Sequence, residues 1–147
     1  MALSPGTSKT IWSNIHKGMA VRRKGERKFV GRGFEIRTID FGRGTKLSSV
    51  IPWGDLDTAY WQTKIPNISV YLPFTGSKLE IMLFPLFKLV MSIPFVRKRA
   101  VEKAGRTRGP SAEKRGNNRI RVWGEIKNSS GKVVTAGIEV PDGYTVT

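Results

Sequence analysis

Residues 46–72 carry the tightest conformational constraints in the chain. Lys46–Ile51 reads as a strand ending in the β-branched pair Val50-Ile51, and Pro52 forces Ile51 out of the α region, so the strand stops there. Gly54 admits a backbone angle that other residues resist. Asp55 is then a natural N-cap for a helix of about two turns through Thr63. Ile65-Pro66 ends that helix, and Ile68–Leu72 alternates like a half-buried strand. Strand, turn, helix, turn and strand therefore bring Trp53, Asp55, Thr58 and Tyr60 around one turn, the best candidate site in the chain. The bland alternative is that Trp53 and Tyr60 are core and Asp55 only a cap.

With 147 residues, a single domain (1–147) is expected, large enough for a real core. Without cysteine, there are no disulfides, no thiolate chemistry and no cysteine-based zinc sites. His16 is the only histidine, so serine–histidine catalysis and histidine-rich metal sites have almost nothing to draw on, and no metal is expected. It reads as a solvated residue near a helix end. The first ten residues lack the apolar core of a signal peptide, which makes a cytoplasmic location the default.

A formal charge of +15 calls for a physical account. Such a field attracts nucleic acid, anionic lipid or phosphorylated ligands. The glycine-flanked arginines Arg32, Arg43 and Arg108 are scattered through turns, without the interleaved aromatics of single-strand binders, so nucleic acid is not the expected partner. A solvated basic surface, or a missing acidic partner domain, gives the same imbalance.

In chain order, Thr7 or Ser8 caps a helix over Lys9–His16, stopped by Gly18. Met19–Arg23 and Arg27–Val30 flank a hairpin turn at Lys24-Gly25-Glu26. Phe34–Phe41 alternates, with Phe34, Ile36 and Thr38 on one face and Glu35, Arg37 and Ile39 on the other. Gly42-Arg43-Gly44 turns it into the 46–51 strand. Arg106–Pro110 is a loop and Pro110–Lys114 a helical turn. Ile120–Ile126 and Lys132–Val140 form a hairpin, and Asp142-Gly143 is a further turn. The abrupt start and finish suggest a fragment of something longer. The expected architecture is α+β, with a mixed or largely antiparallel sheet holding the Phe34, Lys46, Ile68, Ile120 and Lys132 strands and covered by helices on one face.

Leu79–Val96 is apolar nearly all round, interrupted by Glu80, Pro85, Lys88, Ser92 and Pro94. Two prolines and two charges argue against a membrane span. The favoured expectation is a pair of buried helices, kinked or split at Pro85 and ended by Pro94. The alternative is an interfacial segment, with Phe84, Phe87 and Phe95 among acyl chains and Arg97, Lys98 and Arg99 on the phosphates of an anionic lipid surface.

Asp55 and Asp57 are neighbours on a helix's first turn, where acids favour the dipole, and paired carboxylates for acid–base work are not obvious elsewhere. No Gly-x-Gly-x-x-Gly follows a strand, and no phosphate loop is present.

Taken together, Pro5–Thr10, Ile39-Asp-Phe-Gly42, Ile51-Pro-Trp-Gly-Asp55 with Thr58-Ala-Tyr60, Ile65-Pro-Asn67, Gly109-Pro110, Val122-Trp-Gly-Glu125 and Pro141-Asp-Gly-Tyr144 resemble the saccharopine dehydrogenase-like oxidoreductases, which include saccharopine reductase and the trans-acting enoyl reductases. The likeness runs in order along essentially the whole chain. It implies the second, α+β domain of that family, which contributes the substrate side of a cleft and often the dimer contact, beside a Rossmann domain that holds NAD(P). Trp53, Asp55, Thr58, Tyr60 and Asn67 would line the substrate side. The chain has no Rossmann half, so on its own it should bind no cofactor and turn nothing over. Removal from that partner should expose apolar surface and favour a homo-oligomer. Some relatives carry a hydrophobic segment near the position of Leu79–Val96 and associate with lipid, which makes lipid or membrane association a second possibility.

Overall fold

Ser4 opens the first helix of the computed structural model, which describes residues 4–73, 78–106 and 119–141. The Ser4 Oγ accepts the Thr7 backbone N–H at 3.2 Å, and Pro5 holds the first helical position of α1 (Pro5–Asn14). A side-chain cap followed by a pre-set proline φ starts the helix four residues ahead of the expected Lys9. One 3-10 turn, Ile15–Lys17, completes it, and Gly18 closes it at φ +88°. A Cβ there would lie 3.0 Å from the Val30 carbonyl oxygen, so glycine is required on two counts.

β1 (Met19–Arg23) and β2 (Glu26–Val30) pair antiparallel across Lys24-Gly25, both at positive φ, as a tight right-twisted hairpin demands. Ala20 and Val21 are completely buried, while β2 is an exposed edge. β3 (Ile36–Asp40), β4 (Thr45–Val50) and β5 (Tyr71–Pro73) form a second antiparallel sheet in that order. Ile39 faces inward, which identifies the Glu35/Arg37/Ile39 side of the alternation as the packed one. Reciprocal bonds between Arg22 and Ile68 (2.9 and 3.0 Å) join β1 to the segment leading into β5.

α2 (Asp55–Thr63) lies between β4 and β5 in the chain and is anchored by Leu56, which is fully buried. Its N-cap is Gly54, in ordinary helical geometry (φ −60°), and Asp55 stands one position later in the first turn. The expected roles of Gly54 and Asp55 are therefore corrected: no side-chain cap forms, and the left-handed residue is Lys64 (φ +58°) at the other end. Its N–H bonds the Tyr60 carbonyl at 2.8 Å.

α3 (Lys78–Ser92) runs through Pro85 without a break. The break falls at Ile93, extended at ψ 118°, where the residue before a proline is disfavoured in the α region and Pro94 then starts α4 (Pro94–Gly105). The two helices meet at a bend of 99°. α4 packs on α1, and α3 packs on the 3-10 turn. β6 (Arg119–Lys127) and β7 (Val133–Pro141) make a nine-pair antiparallel hairpin that is a sheet by itself.

The α+β class and the antiparallel strand pairing are as expected. Instead of one sheet, the strands form three, because β6–β7 meets β3 through side chains and not through a backbone ladder. Buried helices are also corrected. α3 is packed along one side only. The loop and turn expected over 106–114 and the turn at 142–143 lie outside the described residues, Arg106 excepted.

Candidate functional site

The turn at residues 51–55 is built by short-range bonds. Trp53 N–H donates to the Ile51 carbonyl at 3.0 Å, and Leu56 N–H donates to the Trp53 carbonyl at 3.3 Å, with the Leu56 side chain driven into the core. Trp53, in the turn ahead of α2, and Asp55 and Thr58, on its first turns, are left exposed. Tyr60 and Asn67 point elsewhere. The Arg22 guanidinium lies 4.3 Å over the Tyr60 ring, whose hydroxyl sits 3.1 Å from where a Cβ on Gly25 would be. Asn67 Oδ1 accepts the Lys24 N–H at 3.0 Å, and the Pro66 carbonyl accepts that of Gly25 at 2.8 Å. The five expected site residues thus divide. Two clasp the β1–β2 turn, and three stand on an open helix end.

Sequence reasoning missed the polar node beneath them. Arg22, 8% exposed, donates from Nε to the Leu56 carbonyl (2.8 Å) and from Nη1 to the Gly25 carbonyl (2.5 Å), and its Nη2 pairs with Asp57. Arg27 reaches the other Asp57 oxygen at 2.6 Å. Asp57 had only a helix-dipole role in the sequence; its partners lie 35 and 30 residues away and could not be read locally.

A second node centres on Glu35. Its carboxylate accepts from Arg23, from Ser69 Oγ at 2.7 Å and from the Tyr71 hydroxyl at 3.0 Å. Burial alone would raise its pKa, but those three donors outweigh it and hold the carboxyl below its ordinary value. Burial, together with the charge of Glu35, pushes the Tyr71 phenol up. The node ties β1, the residue ahead of β3 and the segment leading into β5 together around one carboxylate.

A shallow groove of about 370 Å³ runs between the β3–β4 turn and the β6–β7 hairpin, lined by Asp40, Phe41, Gly42, Arg121, Val122, Trp123, Gly137, Ile138 and Glu139. Its polar groups are engaged locally: Arg121 donates to the Gly42 carbonyl (2.5 Å) and to Glu139 (2.6 Å), which also takes Arg43 at 3.3 Å, and Asp40 accepts the Gly42 N–H at 2.7 Å. Among the described residues, no three acidic, histidine or cysteine side chains converge as a metal site would need.

The two largest unusual features are surfaces. The odd-numbered residues of β6–β7 carry the polar links to the rest of the chain. Glu125 pairs with Arg37 at 3.0 Å, and Arg37 also lies 5.6 Å over the Trp123 ring. The even-numbered face is aliphatic, and Val122, Ile126, Val134 and Ile138 are exposed on it, in cross-strand pairs 122–138 and 126–134. The hairpin is turned with its polar face inward and its apolar face out. On α3, Phe84 and Met91 are buried, with Arg32 5.3 Å over the Phe84 ring. Leu79, Met82, Leu86, Leu89 and Ile93, at alternating steps of three and four, form an exposed stripe on the opposite side, where Met82 and Leu89 are each 68% exposed. Of the expected lipid contacts, Phe84 is therefore excluded by burial. Phe87 is at the margin, edge-on to Trp12 at 6.2 Å, and Phe95 is open, with Arg99 4.5 Å over its ring. His16 is half-buried rather than solvated; burial, Arg97 and Lys17 lower its pKa.

Comparison of the chain with protein-family models, with curated proteins and with solved structures found no match.

Proposed function

We propose that this chain is the substrate-side and assembly domain of an NAD(P)-dependent oxidoreductase of the saccharopine dehydrogenase-like kind, acting against a separate nucleotide-binding domain. The observation that carries the reading is the reversed hairpin. β6–β7 uses Arg121, Trp123, Glu125 and Glu139 to hold on to its own chain and presents Val122, Ile126, Val134 and Ile138 outward. A flat aliphatic sheet face of this type suits another protein domain, since it gains from being covered and has no charge of its own to lose. The resembling motif supports the same reading, because Trp53, Asp55 and Thr58 stay open to a ligand at the start of α2. The nucleotide belongs on the partner. The first turn of α2 carries the exposed carboxylate of Asp55, which opposes a pyrophosphate there, while Asp57 is taken up by Arg22 and Arg27.

The test has two arms. In calorimetry, NADH and NADPH give no binding to this chain alone, and micromolar affinity for either overturns the division of labour. With a nucleotide-binding domain supplied, Asp55→Asn abolishes hydride transfer, while urea unfolding of the chain shifts by less than about 0.5 kcal/mol. Full activity in that variant removes Asp55 from the substrate side.

A further inference from the structure

Three properties of α3 restrict what can cover its outer half. The first is width. Leu83 and Val90, flanking the exposed stripe, are exposed as well, whereas a helix partner in a coiled coil leaves such flanking positions to charges that set register. The only charged residues between Leu79 and Ile93 lie away from the stripe: Glu80 is 4.0 Å from Arg32, and Lys88 Nζ sits against Gly18. From Leu79 to Ile93 the outer half thus carries no charge.

The second property is that α3 cannot be surrounded by lipid. Phe84 and Met91 pack it to the protein. Its 15 residues span about 22 Å, short of a hydrocarbon core of about 30 Å. A helix held by the protein on one side and apolar on the other presents a one-sided face of the kind that lies in a surface plane.

The third property is charge. The 99° bend sets the first turns of α4 at the end of the stripe, where exposed Phe95 is followed by Arg97, Lys98 and Arg99. A second copy would bring +15 against +15, which disfavours self-association through this face, while an anionic surface is drawn to it. From the apolar stripe, its basic end and this charge balance, we infer that the outer face of α3 and the first turns of α4 dock in the plane of an anionic bilayer. The aliphatic side chains lie among the upper acyl segments, and Arg97, Lys98 and Arg99 meet lipid phosphates. This inference does not rest on the oxidoreductase reading and uses none of the residues that carry it.

Sedimentation with vesicles tests it. The chain pellets with phosphatidylcholine vesicles containing phosphatidylserine and stays in solution with phosphatidylcholine alone. Replacing Arg97, Lys98 and Arg99 by glutamine lowers apparent affinity about a hundredfold. Leu86→Gln with Leu89→Gln lowers it a further tenfold or so, with the far-UV spectrum unchanged. Because the chain has no cysteine, Met82→Cys carries a single polarity-sensitive dye, whose emission shifts to the blue on the anionic vesicles. If pelleting survives the leucine variant, or the dye does not shift, the attraction is electrostatic only and the inference fails. It fails equally if the leucine variant converts a dimer to a monomer and vesicles never bind.

Discussion

Arg22 shows how much one side chain can organise. In the sequence it is one of 26 basic residues; in the structure it joins β1, the β1–β2 turn, α2 and the Tyr60 ring through three donors and a cation–π contact. A buried guanidinium persists only because each donor finds an acceptor, and Asp57 supplies the charge. Glu35 plays the converse part, a carboxylate held by Arg23, Ser69 and Tyr71. Its pKa is lowered in the folded chain, so its stabilisation is full above the ordinary value of 4.5 and is lost as pH falls through the folded value. In Glu35→Gln, urea unfolding is expected to show lower stability at neutral pH and a flatter pH dependence below about 4.5. An unchanged pH profile would remove Glu35 from the acid response.

At the scale of elements, the boundaries follow local chemistry wherever a proline or glycine decides them. Ser4-Pro5 opens α1, Gly18 closes its last turn, and Ile93-Pro94 separates α3 from α4. The end of α2 is different. Lys64 adopts a left-handed conformation that glycine tolerates far better, and it does so because Tyr60 and the 65–67 segment need the chain to turn there. Lys64→Gly is expected to raise stability by about 0.5 kcal/mol in urea. A loss would mean that the Lys64 ammonium over the Tyr60 and Trp61 rings, at 5.6 and 5.5 Å, outweighs the backbone strain. The β6–β7 hairpin had a legible pattern but not a legible orientation. Alternation separates its two faces, yet the choice of the odd face as the one tied to the chain depends on Arg37 and Gly42, about 80 to 90 residues earlier in the chain.

For the whole molecule, the excess of basic side chains is the main electrostatic feature. With 26 basic and 11 acidic side chains, folding brings like charges closer than the open chain does, and salt relieves that repulsion. The ion pairs at Asp57, Glu35 and Glu125 oppose the trend but are fewer than the excess cations. The thermal midpoint should therefore rise by a few degrees between low salt and about 0.15 M sodium chloride. A fall would mean that the paired charges, and not the excess, govern stability.

The sequence alone determined the α+β class, the turn at Lys24-Gly25, the helix following Pro52 and the stop at Pro94, because alternation, glycine and proline act within a few residues. Tertiary structure decided the rest. It divided the strands among three sheets, drew Tyr60 and Asn67 away from Trp53 and Asp55 to clasp a distant turn, and chose which side of α3 was covered. An apolar run such as 79–96 offers two equally greasy sides, and only the position of the neighbouring elements distinguishes the packed side from the open one.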